Sequence, residues 1–192
     1  MTPGGPALAI ARTRRWLEDV VIGLALCPFA AAPAHAGRIV YEVCEQTSAE
    51  AVYQCFLQTL QDFAIADAAR HETALLIFTK GLADFADYLD LLALAEQALS
   101  EAGLTGVIQL ASFHPDYRFA GAPADDPANF SNRSPYPMFH LIREDSLEAA
   151  LASYGHPERI PERNVRRLRR LGLEGIRALR RQVIGPNDRE PD

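Results

Sequence analysis

The stretch "VIQLASFHPDYRFAGAPADDPANFSNRSPYPMFHLIR", residues 107–143, places two predicted strands on either side of a long irregular segment. Residues 107–113 and 137–143 are rich in β-branched and aromatic residues, which is typical of strands. The 21 residues from His114 to Ser134 show neither helical nor strand periodicity. Irregular segments of this length are uncommon in compact domains and often carry function. A packed Ω-loop with a purely structural role is the alternative.

Helices and strands alternate on the N-terminal side of this stretch, and helices follow it. The predicted elements are a helix over residues 7–25, a strand at 38–43, a helix capped by Ser48, a strand at 74–79, a helix from Asp84 to Ser100, and after residue 143 the helices "DSLEAALASYG", "ERNVRRLRRLG" and "LEGIRALRRQV". This order indicates an α/β sandwich.

We therefore predict a single α/β domain over residues 7–184, with a four-stranded mixed sheet packed by helices. The first three strands can run parallel, and the fourth can return antiparallel beside the third. A ferredoxin-like arrangement is one option. Residues 1–6 and 185–192 are predicted to be flexible termini.

The composition and charge are typical of a soluble globular protein. The chain has 192 residues, is 48% hydrophobic and carries a net charge of -6. Within it, residues 162–181 hold eight arginines and two glutamates, a net charge of +6. No apolar run approaches the ~18 residues of a membrane span. Neither GxGxxG nor GxxxxGK[ST], the common phosphate-binding motifs, occurs.

The cysteines indicate a reducing compartment. Cys27, Cys44 and Cys55 are odd in number and have no close spacing, so they form neither a zinc framework nor a plausible set of disulfides. Reduced thiols fit a cytoplasmic protein, and the N-terminal helix lacks the pattern of a signal peptide.

Two histidines flank the irregular segment. His114 ends the third predicted strand, and His140 lies within the fourth. If these strands pair, both imidazoles could line one end of the sheet, where their ordinary pKa of about 6.5 suits acid–base catalysis. The alternative is that each ring is a hydrogen-bonded structural group.

Polar side chains of the same region could hold a substrate. Arg118, Arg133 and Arg143 are the only arginines or lysines between Lys80 and Arg159. A planar guanidinium is a natural partner of a carboxylate or phosphate, so these arginines are candidate ligands of an anionic small molecule. Structural ion pairs are the alternative. Asn132 could donate its amide to a substrate or simply form a turn.

Cys27 is the candidate nucleophile. It stands in "ALCPFA", where Pro28 ends the first helix and forces the cysteine out of helical geometry. A helix C-terminus disfavours a thiolate, so a nucleophilic role requires a nearby cationic group. An inert, buried thiol is the alternative.

Two other kinds of site receive weaker support. His114, Asp116, His140 and Cys27 are possible metal ligands, but no diagnostic spacing such as CxxC or HExxH occurs, so no metal site is predicted. Arginine-rich helices can bind nucleic acid, yet the rest of the chain is acidic and the pI is near 5.4, which disfavours that reading.

Several motifs point to one family. "LALCPFA", "SFHPDYRFAG", "DDPANFSNRSPYPMFHLIRED" and "IPERN" together resemble a bacterial family known as domain of unknown function fourteen-fifteen (DUF1415), over about residues 16–173. The resemblance implies no activity, cofactor or catalytic residue. It does imply that the cysteine motif and the long segment are family hallmarks that belong to one place.

The leading hypothesis is a small enzyme that acts on an anionic small molecule by group transfer or hydrolysis. His114 and His140 would exchange protons, Cys27 would be a nucleophile or redox thiol, and Arg118 and Arg133 would hold the anion. The alternatives are a ligand- or metal-binding module without turnover and an interaction protein that uses its arginine-rich helices. The sequence identifies neither a cofactor nor an oligomeric state.

Overall fold

A computed structural model describes residues 5–152 and 154–184. Apart from Gly5 and Pro6, the termini predicted to be flexible lie outside these residues. The helices are α1 (Pro6–Trp16), which continues as a π-helical turn (Leu17–Ile22), α2 (Ala31–His35), α3 (Ala49–Ile65), α4 (Phe85–Glu101), α5 (Glu144–Ala152) and α6 (Ile160–Ile184). The strands are β1 (Ile39–Cys44), β2 (Thr73–Phe78), β3 (Ile108–Phe113) and β4 (Met138–Arg143).

The four strands form one mixed sheet in the order β1-β2-β4-β3. Strands β1 and β2 are parallel, and β4 runs antiparallel to both β2 and β3. The predicted mixed sheet and the antiparallel β3–β4 pair are confirmed. A ferredoxin-like unit has the element order β-α-β-β-α-β, whereas this chain runs β-α-β-α-β-β, so that option does not describe the topology.

Helices cover both faces of the sheet. Helices α3 and α4 pack on one face, called the α3/α4 face, where Phe56, Tyr88 and Phe139 belong to the core. Helices α1 and α6 pack on the other, called the α1/α6 face, where Trp16 and Met138 belong to the core. Strand β2 is buried at every position because it lies inside the sheet and is covered from both sides.

Local sequence signals account for the helix boundaries. The Ser48 hydroxyl accepts the Ala51 N–H at the start of α3, and the Asp84 carboxylate accepts two N–H groups at the start of α4. Gly172 interrupts α6 with φ 74° and ψ 166°, a region essentially restricted to glycine. The two predicted C-terminal helices are therefore the two halves of α6. No helix in the described ranges is long and apolar enough to cross a bilayer.

Candidate functional site

The loop of residues 114–137, which the sequence marks as the site, is a packed structure held by its own side chains. The buried Asn129 amide accepts the Phe119 N–H at 3.1 Å and donates to the Pro123 carbonyl at 2.8 Å. Arg133 donates to the Tyr117 carbonyl at 3.0 Å and to a second loop carbonyl at 2.8 Å. The polar side chains of Asn129 and Arg133 therefore form their hydrogen bonds with the loop backbone.

Helix α6 and the N-terminal helix fix this loop from outside. Arg180 donates to the Pro115 and Ser134 carbonyls at 3.2 and 3.3 Å. Arg169 pairs with Asp126 at 2.6 Å, and the Trp16 indole donates to the Arg133 carbonyl at 3.1 Å.

The proline content explains why these donors are present. The loop contains Pro115, Pro123, Pro127, Pro135 and Pro137, none of which has an N–H group. Its carbonyl groups therefore outnumber its backbone donors, and buried carbonyls require partners. Arginine and asparagine side chains supply the missing donors, and this surplus of acceptors was a signal that the sequence contained.

His114 is a structural residue of this loop. Its side chain is 0% exposed and packs against Phe85 and Tyr88. Nδ1 accepts the Asp116 N–H at 3.0 Å, so Nε2 carries the proton and donates to the Leu82 carbonyl at 2.9 Å. Burial lowers the pKa of the imidazole, which keeps it neutral near pH 7. Both nitrogens are occupied within the fold.

The two histidines do not meet, and the expectation that they line one end of the sheet is wrong. Strand residues alternate between faces, and His114 continues the series of Ile108 and Leu110 on the α3/α4 face. His140 lies with Met138 on the α1/α6 face. His140 also pairs with Ala111, so it sits further along the sheet than His114.

Three of the four predicted anion-binding side chains, those of Asn132, Arg133 and Arg143, donate to carbonyl groups of the fold. Arg143 ties β4 to the end of α3 by donating to the carbonyls of Phe63 at 2.6 Å, Ala66 at 2.9 Å and His71 at 3.1 Å. Asn132 donates to the Ser112 carbonyl at 3.1 Å, and Arg118 is exposed on the loop. Arg133 is 5% exposed and lies over the Phe130 ring, 4.6 Å from its centre. The fold therefore does not assemble these groups into one anion clamp.

Cys27 and His140, in contrast, line the same cavity on the α1/α6 face. The cavity has a volume of about 120 Å³. Its walls come from the N-terminal helix, the segment after Cys27, strands β1, β2 and β4, and α5; they include Trp16, Leu17, Val21, Phe29, Pro33, Ile39, Leu75, Phe113, Ile142, Leu147 and Ala150. Thr73, Glu72 and Ser146 are the other polar residues of the wall. The site is thus apolar, with a few polar groups.

The hydrogen bonds of His140 define its tautomer. The Thr73 hydroxyl donates its proton to the Leu141 carbonyl at 2.7 Å, so it accepts from His140 Nε2, which lies 2.5 Å away. Nδ1 is then unprotonated, and no other described residue forms a hydrogen bond with it. Burial lowers the pKa of His140 to about 4. The ring is a neutral base beside the cavity at physiological pH.

The Cys27 segment is held in a strained shape by α6. Ala25 has φ 46°, a left-handed value that is unfavourable for a residue with a Cβ. Asn164 donates to the Leu26 carbonyl at 2.7 Å and Arg163 donates to the Ala25 carbonyl at 3.2 Å. These contacts join the "LALCPFA" and "IPERN" motifs. Strain that is over-determined by neighbouring contacts is a feature of functional sites.

The Cys27 thiol is half-buried and neutral. Burial raises its pKa, while hydrogen bonds from the Phe29 and Ala30 N–H groups and the positive charge of Arg163 oppose that rise. The cationic neighbour that a nucleophilic role requires is therefore present, although burial outweighs it. No hydrogen bond links the sulfur with His140 among the described residues.

Sequence reasoning missed three residues of this site. Thr73 sets the tautomer of His140, and Arg163 and Asn164 fix the backbone before Cys27. The co-occurrence of the two motifs pointed to the latter pair, while Thr73 has no local signal. Among the described residues, no group of three or more histidine, cysteine or carboxylate side chains could hold a metal ion.

Fold and site together define a mixed α/β domain in which a cysteine and a histidine line one apolar cavity. The chain belongs to the family described as "Protein of unknown function (DUF1415)", whose model matches residues 8–178. This confirms the resemblance that the motifs carry. Comparison with curated proteins and with solved structures gives no significant match.

Proposed function

We propose that the protein is a small enzyme that transfers or hydrolyses an acyl group bound in the cavity between Cys27 and His140. The observation that carries the proposal is that Cys27 and His140 line one cavity, with Nδ1 of His140 unprotonated. A well-formed apolar pocket with a few polar groups is the usual form of a small-molecule site.

The cavity favours a short, largely apolar group as substrate. A volume of about 120 Å³ is roughly four times the ~30 Å³ share of one water molecule. Among the described residues, no arginine or lysine lies in its wall, and Glu72 is held by Arg38 at 2.7 Å. The described wall offers an anionic group no cationic side chain, so the proposed substrate differs from the anionic molecule that the sequence suggested.

Each of the two residues has one role in the proposed reaction. The Cys27 sulfur attacks the carbonyl carbon of an acyl donor, and His140 Nδ1 takes the thiol proton and delivers it to the leaving group. The acyl group remains on sulfur as a thioester until water or an acceptor removes it. Thr73 holds the imidazole in the required tautomer. His114 takes no part.

Binding without turnover is the second candidate, and one observation favours it. Burial raises the pKa of Cys27 and lowers that of His140, so the neutral thiol and neutral imidazole are preferred over the ion pair. A site of this kind can hold an apolar ligand with a hydrogen-bond donor directed at Nδ1.

The proposal places the protein in the cytoplasm, because its three cysteines are free thiols.

Acylation by p-nitrophenyl butyrate separates the two candidates. We expect one equivalent of p-nitrophenolate per chain in a burst, with the butyryl group found on Cys27 by peptide mass spectrometry. Cys27→Ser should abolish the burst. His140→Phe, which keeps a ring but has no basic nitrogen, should slow it by about 10²-fold or more. Saturable protection of Cys27 by butyrate esters without acylation would instead indicate binding alone.

A matched pair of variants on α5 tests whether the cavity itself is the site. Ala150 lines the cavity and Ala149, its neighbour on the same helix, is exposed. Ala150→Trp should slow alkylation of Cys27 by N-ethylmaleimide about tenfold, whereas Ala149→Trp should not. Equal rates in both variants would refute the cavity as the route to Cys27.

A further inference from the structure

Strand β1 leaves one edge of the sheet open. It pairs with β2 alone among the described strands. The Arg38 and Cys44 carbonyls accept N–H groups from the β2 side, at 3.0 and 3.1 Å. In a parallel pair, alternate residues direct both backbone groups to the same neighbour. The N–H and C=O groups of the odd-numbered positions, Ile39, Tyr41 and Val43, therefore point away from the sheet.

A long groove runs beside this edge, between β1 and α3, and has a volume of about 840 Å³. Its α3 wall is a stripe of residues three or four apart, from Ala51 to Ala66, so the groove follows the whole helix. A helix of 17 residues is about 25 Å long. An extended segment of about seven residues covers a similar distance.

The groove is acidic. Glu42, Glu50 and Asp62 lie in its wall, and within the described part of the chain no arginine or lysine does. None of these carboxylates forms an ion pair with another described residue. Glu42 projects from β1 on the α3/α4 face, because Val40 and Cys44 on the same side of the strand pack in that core. Negative charge therefore lies directly beside the open backbone edge.

We propose that β1 and this groove bind an extended, basic segment of a partner polypeptide, which adds to the sheet as a fifth strand. The outward backbone groups of Ile39, Tyr41 and Val43 supply the hydrogen bonds of strand addition. Lysine or arginine side chains at every second position of the segment meet the carboxylates of the groove. The inference is independent of the chemistry at Cys27, which lies on the other face of the sheet.

The same charges argue against a second copy of this chain as the occupant. If two β1 strands paired about a two-fold axis at Tyr41, the two Glu42 side chains would lie diagonally, about 7–8 Å apart, on one face. Each copy would also bring its acidic groove to the contact, and like charges at an interface oppose association. A basic segment removes that repulsion.

The direct test is binding of a fluorescein-labelled peptide of seven alternating lysines and valines, followed by fluorescence anisotropy at low salt. We expect saturable binding that weakens as salt is added, and no binding of the matching glutamate–valine peptide. The double variant Glu42→Lys, Asp62→Lys should weaken binding by about tenfold or more, whereas Asp90→Lys, at an exposed position of α4, should leave it unchanged. Equal effects of both variants would overturn the proposal.

Alternate N-methylation of the peptide tests strand addition itself. Only every second residue of an added strand donates its N–H to β1, so methylation of one alternate set should weaken binding about tenfold or more. Methylation of the other set should preserve binding. Loss with both sets, or with neither, would overturn the proposal. So would sedimentation of the wild-type chain as a dimer that excludes the peptide, since the occupant would then be a second copy.

Discussion

Replacement of His114 by alanine removes a fully buried ring whose two nitrogens both form hydrogen bonds. The bonds to the Leu82 carbonyl and from the Asp116 N–H contribute roughly 1 kcal/mol each. Loss of the ring from between Phe85 and Tyr88 adds roughly 2 kcal/mol for packing and the residual cavity. We therefore expect His114→Ala to lower the free energy of unfolding by about 4 kcal/mol.

Two further variants separate these contributions. In His114→Asn the amide oxygen can replace Nδ1 as acceptor, and in His114→Gln the amide nitrogen can replace Nε2 as donor. Each keeps one of the two hydrogen bonds, so each should lose about half as much stability as alanine. Urea denaturation monitored by circular dichroism measures the midpoint, and an unchanged m-value would show that the surface exposed on unfolding is the same.

The same variants distinguish a structural histidine from a catalytic one. Because His114 is not part of the cavity, folded His114→Gln should still be acylated at Cys27 at the wild-type rate. An unchanged unfolding midpoint in His114→Ala, together with loss of the reaction at Cys27, would refute the structural assignment. It would restore the catalytic role that the sequence suggested.

Three other predictions concern stability. The pKa of His140 is about 4 in the folded state and about 6.5 in the unfolded chain. Between these pH values the unfolded state binds one more proton, so the free energy of unfolding should fall as the pH is lowered from 6.5 to 4. Urea midpoints should record this fall, and it should be less steep in His140→Gln. Arg133→Lys should lower the free energy of unfolding by about 2 kcal/mol, because an ammonium cannot make both loop hydrogen bonds. The exposed Arg118→Lys should change it by no more than about 0.5 kcal/mol. Equal urea midpoints of the two variants would contradict the structural role of Arg133. Gly172→Ala should lower the melting temperature, at a cost of about 2 kcal/mol, because φ 74° with ψ 166° is open to glycine alone.

Much of the secondary structure follows from local sequence signals. The runs at 38–43, 74–79, 107–113 and 137–143 predict the four strands to within a residue or two. Short runs of β-branched residues that are bounded by turn residues are typical of strands. The position of β4 between β2 and β3 did not follow. Strand order depends on which faces and edges are buried together. The pattern of residue types along one strand does not show which other strand lies beside it.

The candidate site was only partly predictable, because a sequence gives the type of a side chain but not its direction. Cys27 and His140 were both named, and they share a cavity. His114 and Arg133 were named as well, yet their polar atoms face the loop backbone. The prolines of the loop leave carbonyl groups without backbone donors, and this surplus of acceptors indicates a structural role for Arg133.

The central place of β4 has a consequence for how the protein is made. Of the described strands, β4 leaves the ribosome last, yet it is the only one of them that pairs with β3. Until residue 143 is synthesised, the nascent chain holds a β1–β2 pair whose inner strand, "TALLIF", presents an uncovered apolar edge. Fragments that stop before β4 should therefore aggregate, because the described sheet is complete only after β4 has been made.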